Sequence, residues 1–112
     1  LKATIIFMKY EIKKTDVFDQ WLSKLKDRKA LLAINMRIVR AINGNFGDSK
    51  VIASNLLEMR VFVGKGYRVY YSVRNNEIIL LINGGHKGTQ SKDIEKAKMS
   101  GSKHHDIKDK RF

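Results

Sequence analysis

The sequence LEMRVFVGKGYRVYYSVRNNEIILLIN, residues 57–83, alternates apolar and polar side chains on either side of a glycine-rich turn at 64–66. A period of two residues is typical of β-strands that bury one face. Glycine and asparagine reverse a chain tightly, because both residue types tolerate positive φ. We therefore predict three antiparallel strands with turns at 64–66 and 75–76. The third, at 77–83, is apolar on both faces and should be interior in the sheet.

The lengths of these turns predict which residues face each other. They place Arg60 opposite Tyr70 and Arg68 opposite Asn83, on the sheet face that carries the polar side chains. The third strand then runs into Gly84-Gly85, a pair that matches neither a Walker A loop nor a dinucleotide-binding fingerprint. On this register we expect a basic, hydrogen-bonding patch on the sheet face away from the helices, made of Arg60, Arg68, Tyr70 and Asn83 and extended by His86 and Lys87.

Upstream of these strands, apolar residues recur with the 3.6-residue period of α-helices. One stripe follows the candidate N-cap Thr15, and a second, over residues 31–42, ends at Asn43-Gly44. We predict a hairpin of two helices joined near residues 26–28. The first stripe consists of Phe18, Trp21, Leu22 and Leu25.

Two flanking elements complete the predicted domain. Residues 10–14 have the character of an opening strand, and residues 89–99 form a short candidate helix with Ser91 as its N-cap. The predicted order is therefore β-α-α-β-β-β-α. It describes an α+β domain with a mainly antiparallel sheet and a helical hairpin packed on one face.

Length and composition limit what such a domain can be. At 112 residues the chain fits one domain, predicted over residues 8–101, with 1–7 as a vector remnant or upstream extension and 102–112 as a flexible basic tail. The absence of cysteine excludes disulfides, thiolate metal sites and a cysteine nucleophile. No apolar stretch approaches the roughly 20 residues of a membrane span, and we find no signal peptide. We expect a cytoplasmic protein without membrane contacts.

The chain is strongly basic. Its 23 Lys and Arg residues stand against 11 Asp and Glu residues, which gives a formal net charge of +12. A positive field of this strength on a small domain predicts a polyanionic partner.

The predicted patch carries the groups that phosphodiester cleavage needs. Arg60, Arg68 and Lys87 can hold a phosphate and stabilise the charge of a pentacoordinate transition state. Tyr70 or His86 can transfer a proton, and RNA supplies its own nucleophile in the 2′-OH, so neither a metal nor a cofactor is required. An arginine opposite a tyrosine is also a common solvated cross-strand pair. The residues alone leave both interpretations open.

Five short motifs lie in colinear order across residues 9–100. They are Phe18-x-x-Trp21-Leu22-x-x-Leu25-Lys26-Asp27, Gly44-Asn45-Phe46-Gly47-Asp48-x-Lys50, Leu57-Glu58-Met59-Arg60, Gly64-x-Gly66-Tyr67-Arg68-Val69-Tyr70, and Gly84-Gly85-x-Lys87-x-Thr89-Gln90. As a set they resemble the addiction-module killer proteins, a branch of the RelE/ParE toxin superfamily. A set of five ordered motifs is far more specific than any one of them.

The resemblance implies a toxin of a type II toxin–antitoxin module. Its expected partner is a cognate antitoxin, a small helix-turn-helix protein from an adjacent gene, and its expected targets include the ribosome and mRNA. Many RelE-like members cut mRNA on the ribosome without metal, whereas ParE-like members inhibit DNA gyrase. Fold alone does not choose between these activities. A ribosome-dependent mRNA endonuclease that inhibits translation is the leading hypothesis. A gyrase inhibitor and a non-catalytic basic nucleic-acid-binding module are the alternatives.

The resemblance also assigns expected roles to single residues. By position, Arg68 matches the strand arginine of RelE-type toxins, and Lys87 matches a basic residue used on the scissile phosphate. Two departures stand out: the last helix has no tyrosine, and His86 stands where this branch commonly has Asp. We expect catalysis from Arg68, Lys87, Tyr70 and His86, and nucleic-acid binding from Arg60, Arg68, Asn83 and Lys87.

Overall fold

In the computed structural model, which describes residues 9–101, a five-stranded sheet carries helices on both faces. The strand order is β1-β5-β4-β3-β2, with β1 parallel to β5 and the other neighbours antiparallel. The α+β class is confirmed, and the predicted extension and tail lie outside the described residues. The strands are β1 (Glu11–Lys14), β2 (Ser49–Ala53), β3 (Leu56–Val61), β4 (Tyr67–Arg74) and β5 (Ile78–His86), and the helices are α1 (Asp16–Ser23), α2 (Arg28–Ile42), a 3-10 turn (Lys87–Thr89) and α3 (Gln90–Gly101).

The predicted element order omits one strand. β2 lies between α2 and β3, pairs only with β3 in the described sheet, and forms its edge. Because an edge strand is more open to solvent, Lys50 and Val51 are both exposed, and no apolar alternation marks the segment. The order β-α-α-β-β-β-α is thereby corrected to β-α-α-β-β-β-β-α.

Helices α1 and α2 lie on one face of the sheet, as predicted. Thr15 caps α1 by accepting a hydrogen bond from the Phe18 N–H at 3.0 Å, and Asp27 caps α2 through the Ala30 N–H at 3.1 Å. Their apolar stripes meet the odd-numbered side chains of β4 in the main core. Fully buried members of this core include Phe18, Ile34, Ile38, Val69 and Tyr71.

Helix α3 covers the opposite face of the sheet. Ala97 of α3 packs with Leu56, Tyr70, Leu80 and Ile82 in a second, smaller core. The strand at 78–86 is therefore buried on both faces and interior, as predicted. The sheet face away from the helical hairpin is largely closed to ligands, which the sequence analysis did not foresee.

The predicted N-cap of the last helix is wrong, although its predicted start at Thr89 is within one residue of the observed start. α3 begins at Gln90, and Ser91 is an exposed residue inside it. The residue that caps the preceding 3-10 turn is His86, whose Nδ1 accepts a hydrogen bond from the Gly88 N–H while Thr89 Oγ1 accepts one from the His86 N–H.

No helix within residues 9–101 is long and apolar enough to cross a bilayer.

The predicted register is also wrong, because the connections are longer than the turns assumed. β3 ends at Val61, which faces Tyr67, so that Arg60 faces Arg68 rather than Tyr70. In the next pair, Arg68 faces Gly85 rather than Asn83. Each partner lies two residues away from its predicted position.

A β-bulge at Ile82 contributes to this shift. Tyr71 faces Leu81 whereas Tyr70 faces Asn83, so Ile82 is the extra residue in β5. Consecutive side chains, those of Ile82 and Asn83, consequently point to the α3 face: Ile82 packs in the second core, and Asn83 bonds to Asp93 of α3.

Candidate functional site

Three basic residues lie at one end of the sheet, two of them on neighbouring strands and the third just after β5. Arg60 and Arg68 are direct cross-strand neighbours on the α3 face. The Lys87 N–H donates to the Gly66 carbonyl oxygen at 2.9 Å, and the Arg68 guanidinium approaches the same oxygen at 3.4 Å. We call Arg60, Arg68 and Lys87 the basic row. Such a set of two guanidinium groups and one ammonium group can hold a phosphate.

Arg60 is oriented by its neighbours on both sides. Its guanidinium forms an ion pair with Asp48 at 2.9 Å and lies 5.9 Å from the centre of the Phe62 ring. Phe62 is 73% exposed. An exposed aromatic ring beside an arginine is a feature typical of surfaces that bind single-stranded nucleic acid.

Arg68 forms an ion pair with a buried carboxylate, that of Glu58. Glu58 is 1% exposed, and its Oε2 accepts hydrogen bonds from the Tyr70 hydroxyl at 3.0 Å and from Gln90 Nε2 at 2.9 Å. Arg68 Nε lies 3.6 Å from the same oxygen. Glu58 therefore joins β3, β4 and the first turn of α3 beneath the basic row.

Sequence reasoning did not select Glu58 as a site residue. The available signal was a glutamate between two apolar residues in a strand, Leu57 and Met59, on the face that also carries Arg68 and Tyr70. A carboxylate at such a position is rarely buried unless it is paired. The register error hid the pairing, because it placed Tyr70 opposite Arg60.

Tyr70 does not have the position that a catalytic proton carrier needs. Its side chain is fully buried under α3, and its hydroxyl donates to Glu58. Burial raises the pKa of the Tyr70 phenol far above its usual range, and the hydrogen bond to Glu58 raises this pKa further. The predicted position of Tyr70 in an open patch is corrected, because its phenol is fully buried and bonded to Glu58; its catalytic role stays a prediction that this burial disfavours.

We expect this raised pKa to appear as alkaline destabilisation. A phenol whose pKa is higher in the folded state contributes stability below its unfolded pKa of about 10 and loses that contribution as the pH rises. The free energy of unfolding, measured by urea titration, should therefore fall above about pH 10. Tyr70→Phe should flatten this fall and, by removing a hydrogen bond to a carboxylate, lower stability at neutral pH by about 2 kcal/mol. If the free energy of unfolding of Tyr70→Phe fell with pH as steeply as that of the wild type, Tyr70 would not be the source of the alkaline destabilisation. A smaller loss of stability at high pH should remain in Tyr70→Phe, because the phenol pKa values of Tyr67 and Tyr71 are also raised.

Asn83 and His86 are not brought into the basic row. Asn83 is buried beneath α3, and its Nδ2 donates to the Asp93 carbonyl oxygen at 2.9 Å. His86 faces Tyr67, on the other side of the sheet from Arg68. Strand alternation therefore separates the imidazole from the arginines. The predicted nucleic-acid contact of Asn83 and the predicted proximity of His86 to Arg68 are both corrected.

The Gly84-Gly85 pair is covered on both sides. A side chain at Gly84 would begin 2.4 Å from the ring of Trp21, and one at Gly85 would collide with Asp93 and Thr89. Both positions therefore require glycine for close packing of α1 and α3 against β5. Both glycines are buried.

Sequence comparison places the chain beside a bacterial relative. An uncharacterized protein of Haemophilus influenzae is 48% identical over 92 residues, which cover 82% of this chain and 93% of that protein. This chain belongs to the family of that protein. No protein-family model matches the chain. The aligned region covers nearly the whole length of the relative.

Proposed function

We propose that this protein is the toxin of a type II toxin–antitoxin module and acts in the cytoplasm as a metal-independent, ribosome-dependent mRNA endonuclease. The observation that carries the proposal is the basic row, in which Arg60 and Arg68 are adjacent and Lys87 lies against the same turn. The net charge of +12 and the resemblance to addiction-module killer proteins support it.

In the proposed reaction the RNA supplies the nucleophile. The 2′-hydroxyl gives its proton to solvent water as its oxygen attacks the adjacent phosphorus, the bond to the 5′-oxygen breaks, and the products are a 2′,3′-cyclic phosphate and a 5′-hydroxyl. Arg68 and Lys87 stabilise the charge on the phosphoryl oxygens, and the Lys87 ammonium group donates the proton that the leaving 5′-oxygen takes up. Arg60 binds a neighbouring phosphate. Within residues 9–101 no group of three His, Asp or Glu side chains could hold a metal ion.

One observation favours a second candidate function, a toxin that binds DNA gyrase or nucleic acid without catalysis. The two groups expected to carry protons are displaced from the basic row, because Tyr70 is buried and His86 faces the other side of the sheet. A purely binding function needs no proton transfer.

Controlled expression in bacteria separates these functions. An mRNA endonuclease should stop translation and leave new 5′ ends within codons of ribosome-bound mRNA, which primer extension detects. A gyrase inhibitor should instead induce the DNA-damage response and block supercoiling in vitro. Growth arrest without either signature, or no growth arrest, would contradict the proposal.

The proposed antitoxin should bind with strong electrostatic steering. Helix α2 contains four basic residues and no acidic residue, and its outer face exposes Leu32, Met36 and Val39. An acidic segment with apolar side chains complements this face. We expect the association rate of the adjacent helix-turn-helix gene product to fall about tenfold or more between low salt and about 0.5 M salt, as measured by stopped flow. A rate independent of salt would reject the steering argument.

A further inference from the structure

A groove that the proposed reaction does not use lies at the end of the sheet, bordered by α1, the connection between β3 and β4, and α3. It consists of two pockets of about 500 and 320 Å³, and Trp21 and His86 line both of them. The pockets are therefore neighbours separated by these two rings. We call them together the Trp21 groove.

The rim of the Trp21 groove is basic. Three exposed lysines border the larger pocket, and a fourth borders the smaller one. The two carboxylates in the lining already have partners: Asp27 caps α2 and accepts from the Tyr67 hydroxyl, and the buried Asp93 accepts from Thr89. The lysines are Lys24, Lys26, Lys65 and Lys96.

Aromatic rings form the interior of the groove. Trp21, Tyr67 and His86 line the larger pocket. Trp21 is kept in place by Gly84, over which it lies, and by the Phe18 ring at 5.8 Å. Because its Nδ1 accepts from the Gly88 N–H, neutral His86 carries its proton on Nε2 and can donate one hydrogen bond. Lysines around aromatic rings are the usual composition of a single-strand binding groove.

The groove continues from the basic row around the end of the sheet. Tyr67 and His86 form one cross-strand pair, and Arg68 and Gly85 form the next. Successive side chains of a strand point to opposite faces, so the two sites are one residue apart along β4. A strand of RNA held at Arg68 and Lys87 can thus pass over the turn at Gly66 and reach Trp21.

We propose that the Trp21 groove binds single-stranded RNA, with the lysines on phosphates and the bases against Trp21 and His86. The inference extends the proposed function by naming where the substrate strand lies beyond the cleaved bond. Unpaired bases can enter the two pockets, whereas the paired bases of a duplex cannot. The binding of single strands needs no sequence preference, because every base has a face that stacks.

Trp21 is the only tryptophan of the chain, so its fluorescence reports on the groove directly. Titration with an oligouridine of about eight nucleotides should quench the fluorescence of the intact protein. Inorganic polyphosphate of equal charge, which cannot stack, should bind about tenfold more weakly or worse.

The lysines provide a second, quantitative test. Each phosphate contact on a single strand contributes about −0.7 to the slope of log K against log salt. Lys24→Ala/Lys65→Ala should therefore reduce this slope by about 1.4 and weaken binding about tenfold at low salt. Arg40→Ala/Lys50→Ala removes the same charge from exposed positions outside the groove and should leave the stacking-dependent quench unchanged.

Absence of quenching would overturn the proposal, as would equal affinity for polyphosphate or identical behaviour of the two double variants. An acidic peptide that quenches as strongly as oligouridine would identify the groove as a protein-binding site and would also overturn it. The outcome is separable from that of the proposed function. If the protein binds oligouridine but does not cleave mRNA, the Trp21 groove is supported and the endonuclease is rejected. If Lys24→Ala/Lys65→Ala cleaves mRNA with a wild-type KM, the endonuclease is supported and the groove is rejected.

Discussion

Arg68→Ala is expected to lower mRNA cleavage by about a hundredfold or more and to abolish growth arrest. Arg68 is 11% exposed, so most of the side chain is fixed while the guanidinium lies at the end of the sheet. A pre-oriented, partly desolvated cation stabilises a developing negative charge more strongly than a mobile surface cation does. Loss of one such contact typically costs a few kcal/mol in the transition state, which corresponds to this factor. Single-turnover cleavage of ribosome-bound mRNA measures it.

Arg68 also pairs with buried Glu58, so removing its side chain could unfold the protein, and the fold of Arg68→Ala must be checked. Arg68→Lys keeps a positive charge for Glu58 but loses the bidentate fork, so it should stay folded and still cleave poorly. Lys50→Ala, on the edge strand, is a better control than Lys26→Ala, because Lys26 borders the Trp21 groove. Wild-type cleavage by Arg68→Ala at equal protein level would exclude the basic row as the active site.

The helices were predictable because their signals are local. Thr15 accepts the hydrogen bond that an N-cap should accept, and Asn43-Gly44 ends α2 as expected. Apolar stripes of period 3.6 need only one buried face, and both helices bury theirs on the sheet. Strand β2 had no such signal, since Val51 is 69% exposed at the edge of the sheet.

The face assignments were predictable, but the pairings were not. Alternation alone placed Val69 and Tyr71 on the helix side and Arg68 on the other, and the structure confirms both. Pairing depends on where each strand ends, and exposed Phe62 belongs to a five-residue connection rather than to β3. A single-residue bulge at Ile82 leaves no recognisable trace in an apolar run.

The candidate site was therefore only partly predictable. Arg60, Arg68 and Lys87 converge because they occupy the same end of adjacent strands, which holds for either register. Tyr70 and Asn83 were excluded by α3, whose weak amphipathic pattern did not reveal that it covers the second face. Whether a polar strand residue is a ligand contact or a buried partner depends on such coverage, which is a property of tertiary packing.

Glu58→Ala is expected to cause the largest loss of stability of any single charge removal near the site. It would leave Arg68 without its counter-charge and remove the acceptor of Tyr70 and Gln90. Removing one partner of a buried ion pair typically costs about 3–5 kcal/mol, because the other charge remains desolvated. Urea denaturation should report a fall of at least about 3 kcal/mol in the free energy of unfolding.

A matched carboxylate on α3 shows how much of that loss comes from burial. Glu95 lies 3.8 Å from Lys98, and its side chain is 73% exposed, so Glu95→Ala should cost well under about 1 kcal/mol. The pairing itself can be isolated by a double-mutant cycle. Glu58→Leu/Arg68→Leu should lose less stability than the sum of the two single changes, since neither charge is then left unpaired. Additive losses, or a Glu58→Ala loss no larger than that of Glu95→Ala, would mean that Glu58 does not hold Arg68 and that the basic row is oriented by other contacts.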